Sequence, residues 1–162
     1  MILHVKFPPI DGYGSPEAAI LAGKAKHGEF CWFDPALAQG ATFEAVSYGP
    51  DWFATRLSNG KRLFVRAKGA TIEAALDDEP LPPAQPWPDE VEIHSVGVNG
   101  PYHYTWRPAQ DAAGMLGHRI VFVQFHPHRL VLVTPRDVCA WFWLMHETAT
   151  GRPLLKWEFG DV

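Results

Sequence analysis

Apolar and polar positions alternate along Met1–Phe7, a period that predicts a first strand, closed by Pro8-Pro9. Ser15-Pro16-Glu17 supplies an N-cap, a first-position proline and an early acid, so a helix is expected from there to about His27, with Gly28 as its stop. Glu29–Phe33 reads as a short strand, and Asp34-Pro35 starts one helical turn ending near Gly40. Thr42–Tyr48 is a further strand. Trp52–Leu57 and Lys61–Ala67 flank Ser58-Asn59-Gly60, and Asn-Gly between alternating apolar runs is the strongest short-range hairpin signal. Thr71–Leu76 is read as a short helix. Val91–Val98 and Tyr102–Trp106 form a strand pair around Asn99-Gly100-Pro101, and Pro108–Gly117 is irregular with one helical turn. Arg119–Phe125 and Leu130–Val133 are strands about a tight turn at His126–Arg129.

The C-terminal stretch carries a different period. Val138, Trp141, Phe142 and Met145 recur at one-face helical spacing, Thr134 is a candidate N-cap and Pro135 suits the first helical position. Asp137 would meet the positive end of the helix dipole. Gly151 and Pro153 then stop the helix, and Leu154–Phe159 is extended. The expected class is therefore α+β: a mostly antiparallel sheet with helices near the N- and C-termini.

Residues 1–162 are expected to form a single domain, interrupted at 77–89 by a proline-rich acidic surface connector. That stretch, DDEPLPPAQPWPD, holds five prolines and must be extended rather than helical. With 47% hydrophobic and 20% charged residues the chain belongs among folded globular proteins. The opening residues lack a basic region before a long apolar run, and no stretch reaches the length of a membrane helix, so a cytoplasmic protein is expected. Cys31 and Cys139 are far apart and fit no ligand spacing, which favours two free thiols.

Candidate chemistry is thin. His126 and His128 flank Pro127 in a hairpin turn, with His118 before the preceding strand and His146 near the end of the expected last helix. This group is the basis of an alternative reading as a small metal- or cysteine-dependent enzyme, with Cys31 as the nucleophile in the second form. Against it, the chain has no H-E-x-x-H, no G-x-S-x-G and no phosphate-binding glycine loop. No catalytic residue, metal or cofactor is expected.

Charge patterning changes the picture most. From Trp52 to Ile72 every charged residue is basic: Arg56, Lys61, Arg62, Arg66 and Lys68. From Glu73 to Ile93 every one is acidic: Glu73, Asp77, Asp78, Glu79, Asp89, Glu90 and Glu92. Two accounts stand side by side. The blocks pair within the fold, or the acidic block steers a basic partner. Trp87, framed by Pro86 and Pro88, is either an interface anchor or a lid folded back on the body. The candidate partner-binding residues are Asp77, Asp78, Glu79, Trp87, Asp89, Glu90 and Glu92. A net charge of −4 disfavours direct nucleic-acid binding.

The Thr150-Gly151-Arg152-Pro153 stop followed by Trp157-Glu158 resembles the C-terminus of a family of polymorphic-toxin immunity proteins, which includes the inhibitor of a bacterial DNA cytosine deaminase toxin. The resemblance is confined to residues 134–162. It implies a non-catalytic protein that binds and blocks a cognate bacterial toxin, expected to be basic. A phage- or mobile-element-encoded inhibitor of a host defence protein is the same kind of blocker against another target.

Overall fold

Eleven strands and one α-helix account for most of residues 1–8 and 33–161, the part of the chain that the computed structural model describes. The strands are β1 (Ile2–Lys6), β2 (Phe43–Tyr48), β3 (Trp52–Leu57), β4 (Arg62–Lys68), β5 (Thr71–Asp77), β6 (Val91–Gly97), β7 (Gly100–Trp106), β8 (Phe122–His126), β9 (Arg129–Val133), β10 (Val138–Glu147) and β11 (Pro153–Asp161). Helix α1 spans Pro108–Met115, with the proline at its first turn as its fixed φ favours. Two short 3-10 turns, Pro35–Leu37 and Pro135–Asp137, complete the set.

The fold is mostly β, 55% strand against 10% helical, which corrects the expected α+β class. The C-terminal helix does not form. Residues 138–147 are instead the longest strand, paired with β11 from Val138↔Asp161 to His146↔Pro153. The run Val-Cys-Ala-Trp-Phe-Trp-Leu-Met is apolar on both faces, so its period is ambiguous, and its β-branched and aromatic residues favour a strand. Thr134 caps no helix: its hydroxyl and its N–H both donate to the Val138 carbonyl, closing the β9–β10 turn. Gly151, at φ 73°, turns the β10–β11 hairpin instead of ending a helix. The helix expected over 15–27 lies outside the described residues, as do Cys31 and most of the strand expected over 29–33.

Thr71–Leu76 is likewise a strand. Ile72 and Ala74 are fully buried while Glu73 faces Arg66 across the ladder, so packing and cross-strand charge override the helical preference of Ala, Glu and Leu. The irregular stretch after Trp106 is two turns of α1, packed on β11 through Gly114, where an added Cβ would lie 3.2 Å from Phe159.

Strands β2-β3-β4-β5 make an antiparallel meander. The second sheet is mixed, in the order β7-β6-β1-β10-β9-β8, with β11 on the other edge of β10. Among the described strands only β1 and β6 run parallel, with His4 opposite His94. The sheets face each other through Phe53 of β3, whose ring lies 5.0 Å from Phe142 and 5.3 Å from Trp157. One buried cluster runs through both sheets.

The open edge of β11 is closed by side chains and loop atoms. Trp106 Nε1 donates to the Trp157 carbonyl at 2.7 Å, Leu155 N donates to the Pro50 carbonyl at 3.1 Å, and Phe159 N donates to the Asp111 carboxylate. An unpaired strand edge would otherwise be a template for association. In return Trp157 Nε1 donates to the Pro108 carbonyl at 2.9 Å, and the two indoles meet edge to face at 5.0 Å.

Replacing Trp157 by alanine should cost roughly 3–5 kcal/mol, the range for a fully buried aromatic. Trp106→Phe keeps a ring but orphans the Trp157 carbonyl, an expected loss of about 1–3 kcal/mol. Trp141→Ala, on a half-buried side chain, should cost less than Trp157→Ala. Urea titration with an unchanged m-value checks all three.

Candidate functional site

The acidic connector folds onto the protein as a strap. Arg56, Arg62 and Asp77 stand opposite one another on one face of the meander, with Ser47 two positions along from the Ala45 that faces Arg56. Arg56 donates to the Glu79 carbonyl, Arg62 to the Pro80 carbonyl and Ser47 Oγ to the Pro82 carbonyl at 2.7 Å. Gln85 N then donates to the Tyr48 carbonyl at 2.8 Å, fastening the strap beside edge strand β2. A proline-rich segment offers carbonyls without matching N–H groups, and arginines supply the missing donors.

The two charge blocks therefore meet inside the fold. Arg62 grips Asp77 with two bonds of 2.8 and 2.7 Å, Lys61 pairs with Asp78 at 3.0 Å and Arg66 with Glu73 at 3.0 Å. Burial works to raise the Asp77 pKa, but the Arg62 guanidinium and the Glu79 N–H outweigh it and hold the carboxyl below its usual value. Glu90 reaches Arg107 at 3.3 Å and Glu92 reaches His94 at 2.8 Å. Among the described residues, no cation lies within ion-pair distance of Glu79 or Asp89; both are exposed. Trp87 takes the second of its two readings. It is buried, 5.8 Å from Trp106, with no acceptor for its indole N–H among the described residues.

The histidines singled out in the sequence do not converge. His118 packs on Phe159 at 4.6 Å, His146 hydrogen-bonds the Gly69 carbonyl, and only His126 and His128 share a ring contact. Among the described residues no group of three or more His, Cys, Asp or Glu is arranged to hold a metal ion. Burial and neighbouring Asp137 push the Cys139 thiol pKa up, the opposite of an activated nucleophile.

Two other places gather chemistry. The first is a row of His4, His94 and His103 on one face of β1, β6 and β7, with ring centroids 5.1 and 5.2 Å apart. It lines a cleft of about 620 Å³ together with Lys6, Phe7, Val96 and Tyr102. Near it the β6–β7 hairpin leaves Val96 and Val98 exposed, and Ile2 is exposed two residues before His4.

The second place is Lys156, only 4% exposed in the apolar run Leu154-Leu155-Lys156-Trp157. Alternation along β11 turns Trp157 toward Phe53 and Lys156 toward the opposite side. There its ammonium donates to the Tyr104 hydroxyl, pairs with the Glu158 carboxylate, and lies 4.5 Å from the Tyr104 ring and 5.5 Å from the Phe7 ring. Burial lowers the Lys156 pKa, with Glu158 and Asp111 opposing it. Burial also raises Tyr104, reinforced by Glu158 and Tyr102. Asp111 is pushed up to about 6, first by burial and then by Glu158, against the Phe159 N–H, Lys156 and Arg107. Shifted groups gathered in one place mark a candidate site. The sequence signal for it was the lone lysine in a buried run.

Among the described residues no helix is long and apolar enough to cross a membrane. No protein-family model, curated protein or solved structure matches the chain.

Asp111 makes stability depend on pH with a definite sign. The folded protein keeps its proton up to about pH 6, whereas the unfolded carboxyl releases it near 3.8. Its stabilising contribution is thus fully present below 3.8 and lost as pH rises through about 6. Asp111→Asn is neutral throughout and still offers Phe159 an acceptor. Its stability relative to the parent protein should therefore improve between about pH 4 and pH 7, read from urea midpoints across that range.

Proposed function

We propose that the protein is a non-catalytic inhibitor of the immunity type, which works in the cytoplasm by covering the working surface of a basic partner protein. The observation that carries this reading is the outer face around β6, which no described residue covers. Exposed Asp89 and Glu90 lead into the strand, Glu92 and the histidine row occupy its middle, and exposed Val96 and Val98 form its far tip. Single exposed apolar residues are ordinary, but a valine-bearing hairpin beside an open cleft offers apolar anchors with a polar rim, the anatomy of a protein interface.

The strap shifts the reading within that class. Asp77 is spent on Arg62 and Trp87 on the core, so the acids left to steer a basic partner are Glu79 and Asp89, together with Asp78 and Glu90, whose pairs with Lys61 and Arg107 lie at the exposed surface. A bacterial toxin that acts on nucleic acid would present the basic surface this arrangement suits. The resemblance to toxin-immunity proteins adds less than the bare sequence implied, because Thr150–Pro153 is a hairpin turn in place of a helix stop.

The test needs a partner, sought first as the product of the neighbouring gene. Val96→Asp and Val98→Asp should raise the dissociation rate to an extent typical of an interface anchor, roughly 2 kcal/mol. Melting temperature should hold, because exposed side chains rarely change stability by more than about 0.5 kcal/mol. Neutralising Asp78, Glu79, Asp89 and Glu90 should slow association and flatten its salt dependence. Unchanged kinetics in both sets would remove this face from the interface. Stoichiometric metal that is lost in His126→Ala, His128→Ala protein would favour the enzyme reading instead.

A further inference from the structure

Lys156 is tied to the interior more tightly than strand packing requires. A methionine of similar reach would fill the same space without the cost of burying an ammonium. The lysine also lines a pocket of about 270 Å³, with Phe7, Tyr102, Trp143 and Leu144 as apolar wall and Tyr104, Glu158 and His128 as its polar groups. Trp143 brings a further mark of a ligand site: its buried indole N–H finds no acceptor among the described residues. Apolar walls with a few converging polar groups are the usual make-up of a small-molecule site.

We propose that Lys156 is an imine-forming amine that captures small neutral aldehydes, with Glu158 and Tyr104 handling the protons. Glu158, already in contact with the ammonium, accepts a proton from it, and the freed amine attacks the aldehyde carbon. The C–N bond forms as the carbonyl π pair moves to oxygen, which takes a proton from the Tyr104 hydroxyl to give a carbinolamine. The carbinolamine nitrogen, still positively charged, first returns one proton to the Tyr104 phenolate; its freed electron pair then expels the hydroxyl as water, which takes the proton held on Glu158, and an iminium ion is left. Ammonium plus aldehyde has become iminium plus water, and no oxidant or further reactant is required. The lowered pKa of Lys156 favours the first step. Glu158 and Asp111 make the site unfavourable to an anionic oxo acid, and the aromatic wall suits an aryl aldehyde.

The proposal is independent of the partner-binding face and needs no partner to test. The full chain is incubated near neutral pH with benzaldehyde and cyanoborohydride, which reduces iminium ions to stable amines, and each lysine is followed by peptide mass spectrometry. Lys156 should be labelled several-fold faster than exposed Lys68 and half-paired Lys61. Glyoxylate should show no such preference, and urea should abolish it. Tyr104→Phe keeps the ring and should reduce labelling of Lys156 several-fold while leaving Lys68 unchanged; Lys156→Met should remove the adduct. Labelling of Lys156 at or below the rate of Lys68 in the folded protein overturns the proposal, as does a Tyr104→Phe protein that labels at the parent rate.

Discussion

The reciprocal contact between Trp106 and Trp157 is the joint on which the architecture turns. The mixed sheet is held to its β7-β6-β1 wing by only two register pairs between β1 and β10, Val5↔Glu147 and Lys6↔His146. So short a ladder does not fix the angle of the wing. The indole of Trp106, donating to the Trp157 carbonyl, ties β7 to the far edge of β11, while the Trp157 indole ties β11 to the first turn of α1. Each indole N–H is satisfied, as a buried one must be if it is not to be costly. Through Phe53 the same Trp157 ring also reaches the meander. One side chain thus fixes three elements, and Trp87 of the strap packs on the other indole.

The strap depends on that joint and on arginine chemistry in equal measure. Its prolines remove backbone donors, so it cannot join either sheet as a strand, yet it crosses a face that must be covered. Arg56 and Arg62 solve both problems by donating to its carbonyls while Arg62 holds Asp77. The opposite charges of the two sequence blocks are consumed largely in this arrangement. A net charge of −4 consequently says little about a strongly acidic face, and of the acidic block it is Asp78, Glu79, Asp89 and Glu90 that face outward.

Legibility in the sequence followed the range of the interactions. The β3–β4 hairpin was readable because Asn59-Gly60 is a local turn signal, and Gly60 indeed sits at φ 83°. The 138–147 segment was misread because it is apolar on both faces, which a central strand and a buried helix share, and because Thr134-Pro135 opens a hairpin turn as readily as a helix. That turn carries Arg136 and Asp137 at φ 68° and 60°, a conformation no helix-start signal anticipates. The histidine row was invisible for a different reason. His4 and His94 meet only through the parallel pairing of β1 and β6, whose partners lie ninety positions apart. Lys156 and Tyr104 are separated by 52 positions, and nothing near either residue names the other. The lone charge in Leu-Leu-Lys-Trp was the one local hint.

The two places that gather chemistry are neighbours, and β7 is the reason. Alternation along this strand sends His103 into the histidine row and Tyr102 and Tyr104 to the opposite side, where their rings stack at 6.2 Å and nearly parallel. Tyr104 touches Lys156, while Tyr102 and Phe7 line both the 620 Å³ cleft and the 270 Å³ pocket. The walls are shared, so whatever displaces Tyr102 from the cleft side also reshapes the mouth above Lys156. Close packing does not absorb such a shift, because a stacked ring moves only with its partner. The edge strand that the Trp106 indole anchors at one end therefore carries, toward its other end, Tyr102, which among the described residues is shared by both cavities together with Phe7.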